Sequence, residues 1–252
     1  MKQVHVILIA MAAAAWCPAT MHAQSKTETP NISGAWAGTW NMDPKTAKDP
    51  KLIPPAPGLL MLKAPYSEQY EKRRAAERAA DERGEPLGNT STMCLPDGMP
   101  QMMFAIYPLE ILQSPGRVTI IEEAFSQVRR IYLDEPQAKI GDVPPGYYGH
   151  SVGRWDGDTL VVDTIGVKES VLGYRSMPHG DQMRITERIR LAGPDILWDQ
   201  ITVEDPLALE KPWTFTFGYR RTPNYKMQEY VCENNRDYVD EHGATQLRLS
   251  EH

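Results

Sequence analysis

The stretch Gly149 to Thr164, GHSVGRWDGDTLVVDT, constrains this chain more than any other. Asp156-Gly157 supplies the positive φ angles that a two-residue turn between right-twisted strands requires, and strand formers flank it on both sides. Strands are therefore predicted at 150–155 and 158–165. Turn residues punctuate the rest of the chain in the same way: Ser114-Pro115-Gly116, Ala192-Gly193-Pro194, Asp205-Pro206 and Thr222-Pro223-Asn224. Between them strands are predicted at 109–113, 117–125, 127–133, 182–191, 196–204, 212–220 and 226–233, after a first strand at 32–40. Hairpins in such number favour an antiparallel sheet closed into a barrel, because closure removes exposed edges. An open β-sandwich is the alternative. The expected fold is mainly β, an antiparallel lipocalin-like barrel with one N-terminal helix and long loops. Gly34-x-Trp36 is similar to the Gly-x-Trp start of lipocalin-like barrels.

The helix is predicted over 65–83. Pro65 suits a first helical turn, and Gly84 followed by Pro86 ends the element. Its apolar face is weak, so it is expected across the outside or the mouth of the barrel. Two long connections, 134–149 and 166–181, interrupt the meander, and long loops in a compact domain tend to be functional or mobile.

The N-terminus reads as a signal peptide over residues 1–23. Lys2 is the positive region, Val4 to Trp16 the apolar core, and Met21-His22-Ala23 approximates a cleavage site before Gln24. A membrane anchor is the alternative, but the apolar run is short for a span. Trp16 before Cys17 argues against lipidation. Residues 24–31 read as disordered, and residues 24–252 as one barrel-like domain. No other long apolar run follows, so no membrane span is expected after cleavage, and the expected location is periplasmic or secreted. A net charge of −6 and the lack of a basic, aromatic-interleaved stripe argue against nucleic acid.

With Cys17 removed, Cys94 and Cys232 remain. In an oxidising compartment one disulfide is the simplest expectation, two buried free thiols the alternative. Neither cysteine has a CxxC partner, which disfavours a cysteine zinc site, and no metal or cofactor is predicted.

Strand alternation assigns the interior. Met183, Ile185, Glu187, Ile189 and Leu191 share an apolar face, so Glu187 points inward. Trp213, Phe215, Phe217 and Tyr219 share another and, with Met102 and Met103 near the mouth, are predicted to line a ligand pocket. Glu122 and Arg129 are placed to meet across their hairpin. Such buried carboxylates are either structural ion pairs or pocket groups with perturbed pKa. His150 and His179 sit at loop ends; converging with Glu187 at one mouth, they would form an acid–base site, and otherwise they cap turns. Gly149-His150-Ser151-Val152-Gly153 matches a nucleophile elbow by letters only, since no helix follows the strand, so Ser151 is rejected as a nucleophile.

Cys94-Leu95-Pro96-x-Gly98-Met99-Pro100, Tyr107-Pro108-x-Glu110-Ile111-Leu112-Gln113, Val128-Arg129-Arg130-Ile131-Tyr132, the 149–164 hairpin and the C-terminal Glu229-Tyr230-Val231-Cys232-Glu233-Asn234-Asn235 together resemble a family of secreted proteobacterial proteins without an assigned activity. The resemblance runs over most of residues 84–235 and implies secretion and a single β-rich domain. The functional expectation is a cofactor-independent enzyme of lyase, isomerase or cyclase type acting on a small apolar or aromatic molecule. A non-catalytic carrier of such a molecule is the alternative, and an envelope structural or interaction domain the third reading.

Overall fold

The structure is a computed structural model that describes residues 29–84, 87, 93–230, 232, 237–243 and 245–247. The expected signal peptide and the first residues of the segment read as disordered lie outside the described residues.

Nine strands form a closed ring in chain order. They are β1 (Gly34–Gly38), β2 (Leu109–Ser114), β3 (Arg117–Glu122), β4 (Gln127–Leu133), β5 (His150–Asp156), β6 (Thr159–Ile165), β7 (Arg184–Gly193), β8 (Ile196–Glu204) and β9 (Trp213–Arg221). A small separate ribbon pairs β10 (Asp237–Val239) with β11 (Thr245–Leu247). The helix α1 spans Tyr66–Arg83.

The expected all-antiparallel ring is corrected at one seam. β1 closes onto β9 antiparallel, and β4 and β5 run parallel. An odd ring cannot alternate direction all the way round, so one neighbouring pair must be parallel. A parallel pair needs a long crossover, and residues 134–149 provide it. That connection drapes over the outer wall: Gln137 Nε2 donates to the Asp163 carbonyl at 2.8 Å, and Asp134 N donates to the Gly153 carbonyl at 2.9 Å.

The registers give the barrel two unlike ends. At one, the β2–β3, β5–β6 and β7–β8 connections are short turns. The connections that follow β1, β3, β6 and β8 leave from the other, the loop end.

The expected strand over 226–233 does not form among its described residues, and the chain leaves the barrel after Arg221. β1 already occupies the free edge of β9, so no edge remains for another strand. The departing segment is held by Glu123, whose Oε2 accepts from the Tyr225 hydroxyl at 2.6 Å and from Gln228 N at 2.7 Å. The strand expected over 117–125 stops at Glu122, because Phe125 and Ser126 turn the chain with φ of 57° and 50°.

Inward residues fill the lumen: Trp36, Ile111, Ile120, Ile131, Val162, Ile185, Ile201 and Phe215 are all buried. Met99, Met102 and Met103 cross the loop end and are buried too, with the Tyr219 hydroxyl donating to the Met103 carbonyl. Gly98 allows this crossing. It has φ of +70°, and a Cβ there would lie 2.7 Å from the Tyr147 carbonyl. Cys94 and Cys232 form a disulfide with Cα atoms 5.6 Å apart, fastening the segment before the methionines to the C-terminal region.

The helix is polar nearly all round, and only Ala80 is buried. Gly84, in the left-handed region, closes it by donating its N–H to the Ala80 and Asp81 carbonyls. No helix among the described residues is long and apolar enough to cross a membrane.

Candidate ligand site at the loop end of the barrel

Strand parity turns several polar side chains into the lumen, and they form two layers. In the deeper layer Arg129 of β4 makes a bidentate pair with Glu187 of β7. Nη1 donates to Glu187 Oε1 at 2.8 Å and Nη2 to Oε2. The guanidinium also donates to Ser151 Oγ at 3.2 Å and to Thr164 Oγ1 at 2.9 Å. All four residues are buried. Asp199 of β8 lies beside this pair, and neither of its oxygens has a hydrogen-bond partner among the described residues. Burial and the adjacent Glu187 push the Asp199 carboxyl well above the ordinary carboxylate range, and Arg129 only partly offsets them. The layer is sealed from solvent and joins side chains of four strands.

The shallower layer corrects the expected Glu122–Arg129 contact. The hairpin register sets Glu122 opposite Gln127 and places Arg129 opposite Ile120. Gln127 Nε2 donates to Glu122 Oε2 at 2.8 Å, while Gln127 Oε1 accepts from Asp97 N at 3.0 Å and from the Tyr148 hydroxyl at 3.3 Å. Burial, with a smaller contribution from Asp97, raises the Glu122 pKa to about 9. Tyr148 is pushed up to about 12, by burial first and then by Glu122 and Asp97.

The structure does not bring His150, His179 and Glu187 together through any hydrogen bond. Ser151 faces the lumen, so its neighbour His150 faces outward and stacks on Tyr132 with centroids 5.7 Å apart. His179 is buried in the 166–183 connection. Its Nδ1 lies 2.9 Å from the Gly180 carbonyl and its Nε2 2.7 Å from the Val171 carbonyl. Both ring nitrogens face backbone, so the imidazole clamps a loop. Glu187 is committed to Arg129. Among the described residues no group of three or more His, Cys, Asp or Glu side chains gathers as a metal site would require.

Aromatic side chains do converge at the loop end. Trp213, Phe215, Phe217 and Tyr219 of β9 are all buried on the inward face. Tyr174, from the 166–183 connection, inserts among them: its ring centroid is 5.9 Å from Trp213, 4.9 Å from Phe215, 5.0 Å from Phe217 and 5.5 Å from Phe104. Trp40, half exposed, packs on Phe104 at 5.8 Å. The chain makes this insertion through two successive left-handed residues, Arg175 (φ 57°) and Ser176 (φ 63°). Ser176 Oγ donates to Glu77 Oε1 at 2.9 Å, which fastens the turn to α1.

Two clefts open beside Tyr174. The first, about 220 Å³, is walled by Trp40, Phe104, Tyr174 and Phe217 together with residues 53–57, and Arg175 stands at its rim. The second, about 530 Å³, lies between residues 57–62 and α1 and is lined by Trp213, Tyr70, Ser67, Glu71 and again Arg175. A third depression of about 620 Å³ sits on the outer wall between residues 41–52 and the β8–β9 region, with Asp43, Lys48, Asp195 and Arg220 around it. It is larger, but it has no aromatic wall, so the first cleft has the better chemistry for an apolar ligand.

The predicted pocket residues therefore divide. Phe217 lines the first cleft and Trp213 the second, whereas Phe215 and Tyr219 pack beneath, and Met102 and Met103 floor the loop end. Sequence reasoning missed Trp40, Tyr174 and Arg175. The one available signal was Gly173-Tyr174-Arg175 inside a long loop, where an aromatic and a cation adjoin a flexible residue. Comparison of the chain with protein-family models, with curated proteins and with solved structures finds no match.

Proposed function

We propose that the protein is a non-catalytic carrier that holds a small, largely apolar aromatic molecule in the cleft between Trp40, Phe104, Tyr174 and Phe217. One observation carries the reading. Aromatic rings from four separate segments meet at one end of the barrel and leave an open volume of about 220 Å³ between them. Aromatic faces give a planar ligand large contact area, and offset or edge-to-face ring pairs each contribute about 0.5–1.5 kcal/mol beyond area burial. The mode is lipocalin-like in placing the ligand at a barrel mouth. The Cys94–Cys232 bond accords with an extracytoplasmic, periplasmic or secreted location, as does the expected signal peptide. An acid–base enzyme of lyase or isomerase type receives no support from His150, His179 and Glu187, whose polar atoms are engaged away from the cleft or face outward.

Isothermal titration calorimetry with neutral one- and two-ring aromatics, 2-naphthol among them, tests the reading. Saturable one-to-one binding is expected. Trp40→Ala and Phe104→Ala should each weaken it on the order of tenfold, the equivalent of one lost ring contact. Absence of binding across the panel, or binding indifferent to both variants, overturns it.

A further inference from the structure

Arg175 has chemistry that a purely apolar site does not require. It is the one charged side chain among those lining the 220 Å³ cleft, and it lines the neighbouring 530 Å³ cleft as well. Its guanidinium lies 5.4 Å from the centroid of the Tyr174 ring, so the same aromatic that fills the mouth also orients the cation. The acid bonded to this turn is Glu77, and that carboxylate is already shared by Arg73, Arg74 and the Ser176 hydroxyl. Arg175 has no ion-pair partner among the described residues. The residue is exposed, yet its backbone adopts a left-handed conformation that costs a non-glycine residue on the order of 1 kcal/mol or more. That conformation sets Tyr174 inward and Arg175 at the rim.

Building on the carrier reading, we propose that the ligand is an aromatic carboxylate, with its ring between Trp40, Phe104, Tyr174 and Phe217 and its carboxylate paired with the Arg175 guanidinium. A planar guanidinium matches a carboxylate with two parallel N–H···O bonds, which an apolar ring cleft alone cannot offer. Glu71, which lines the larger cleft together with Arg175, disfavours an anion there, whereas the aromatic cleft holds no acid.

Titration calorimetry with 2-naphthoate and its neutral isostere 2-naphthamide separates the two ideas. The proposal expects naphthoate to bind at least about tenfold tighter, expects Arg175→Gln to bring naphthoate down to the level of naphthamide while leaving naphthamide unchanged, and expects Arg175→Lys to retain part of the preference. Equal affinity of the two ligands for the parent protein, both sensitive to Phe104→Ala, overturns the carboxylate assignment and leaves the carrier reading standing. Failure of both ligands to bind overturns the carrier reading itself. A naphthoate preference that survives Arg175→Gln also overturns the assignment, since another cation would then supply it.

Discussion

Replacing Glu122 by glutamine should stabilise this protein at neutral pH, although it removes a charge-capable group from a buried hydrogen bond. Glu122 is only 2% exposed. Burial, aided by Asp97, moves its pKa from an ordinary 4.5 to about 9. A group whose pKa is higher in the folded protein holds its proton there and releases it on unfolding. Its contribution to stability is complete below the unfolded pKa of 4.5 and drains away as pH climbs toward about 9. Each pH unit in that window is worth about 1.4 kcal/mol, so the loss reaches about 3 kcal/mol by pH 7. Glutamine cannot ionise in either state, and its side-chain oxygen can still accept from Gln127 Nε2, as Glu122 Oε2 does at 2.8 Å. Glu122→Gln should therefore match the parent near pH 4 and exceed it by about 3 kcal/mol at pH 7, with a gap that widens to pH 9. Guanidinium unfolding of the disulfide-intact proteins across pH 4–9, followed by circular dichroism, measures the difference. Contributions from Asp199 and other groups appear in both proteins and cancel. Parallel stability curves for parent and variant would refute the reasoning.

Arg129→Met leaves Glu187 buried without its partner beside Asp199 and should cost about 3–5 kcal/mol in urea unfolding. Adding Glu187→Leu should recover most of that loss, because the uncompensated charge is what destabilises. Reducing the Cys94–Cys232 bond opens a loop of 138 residues and should lower stability by up to about 5 kcal/mol on the chain-entropy account, read as a shift in the unfolding midpoint with and without reductant.

The strands were legible wherever turn chemistry and alternation agreed. The hairpin expected at 150–155 and 158–165 about an Asp156-Gly157 turn spans 150–156 and 159–165, so its two turn residues are Gly157-Asp158, of which only Gly157 has positive φ, 62°. The inward set Trp213, Phe215, Phe217 and Tyr219 and the inward Glu187 followed from alternation alone. His150 was harder to place because its strand carries little facial contrast. Lumen-facing Ser151 and Gly153 are small, and outward Val152 is apolar because the 134–149 connection and neighbouring side chains cover that wall. The parallel seam and the closure of β1 on β9 depend on contacts between distant parts of the chain, for which no local pattern exists. Arg129 chose Glu187 over Glu122 for the same reason. A long side chain at a lumen position can cross to any inward acid, and the hairpin register had already given Glu122 to Gln127. Tyr174 and Arg175 reach the mouth from an aperiodic turn, where hydrophobic spacing says nothing about direction.

The parallel seam has a practical consequence. β4 and β5 share a register of only three residue pairs, and so do β1 and β9, whereas β7 and β8 share nine. With the Cys94–Cys232 bond removed, severing the chain within 134–149 would yield two natural fragments, one carrying Arg129 and the other Ser151, Thr164 and Glu187. Neither can bury its own polar residues unaided, because the guanidinium and the carboxylate satisfy each other only across the cut. The fragments thus carry a built-in test of identity, and the barrel is suited to use as a split reporter whose halves reassemble by completing one internal ion pair.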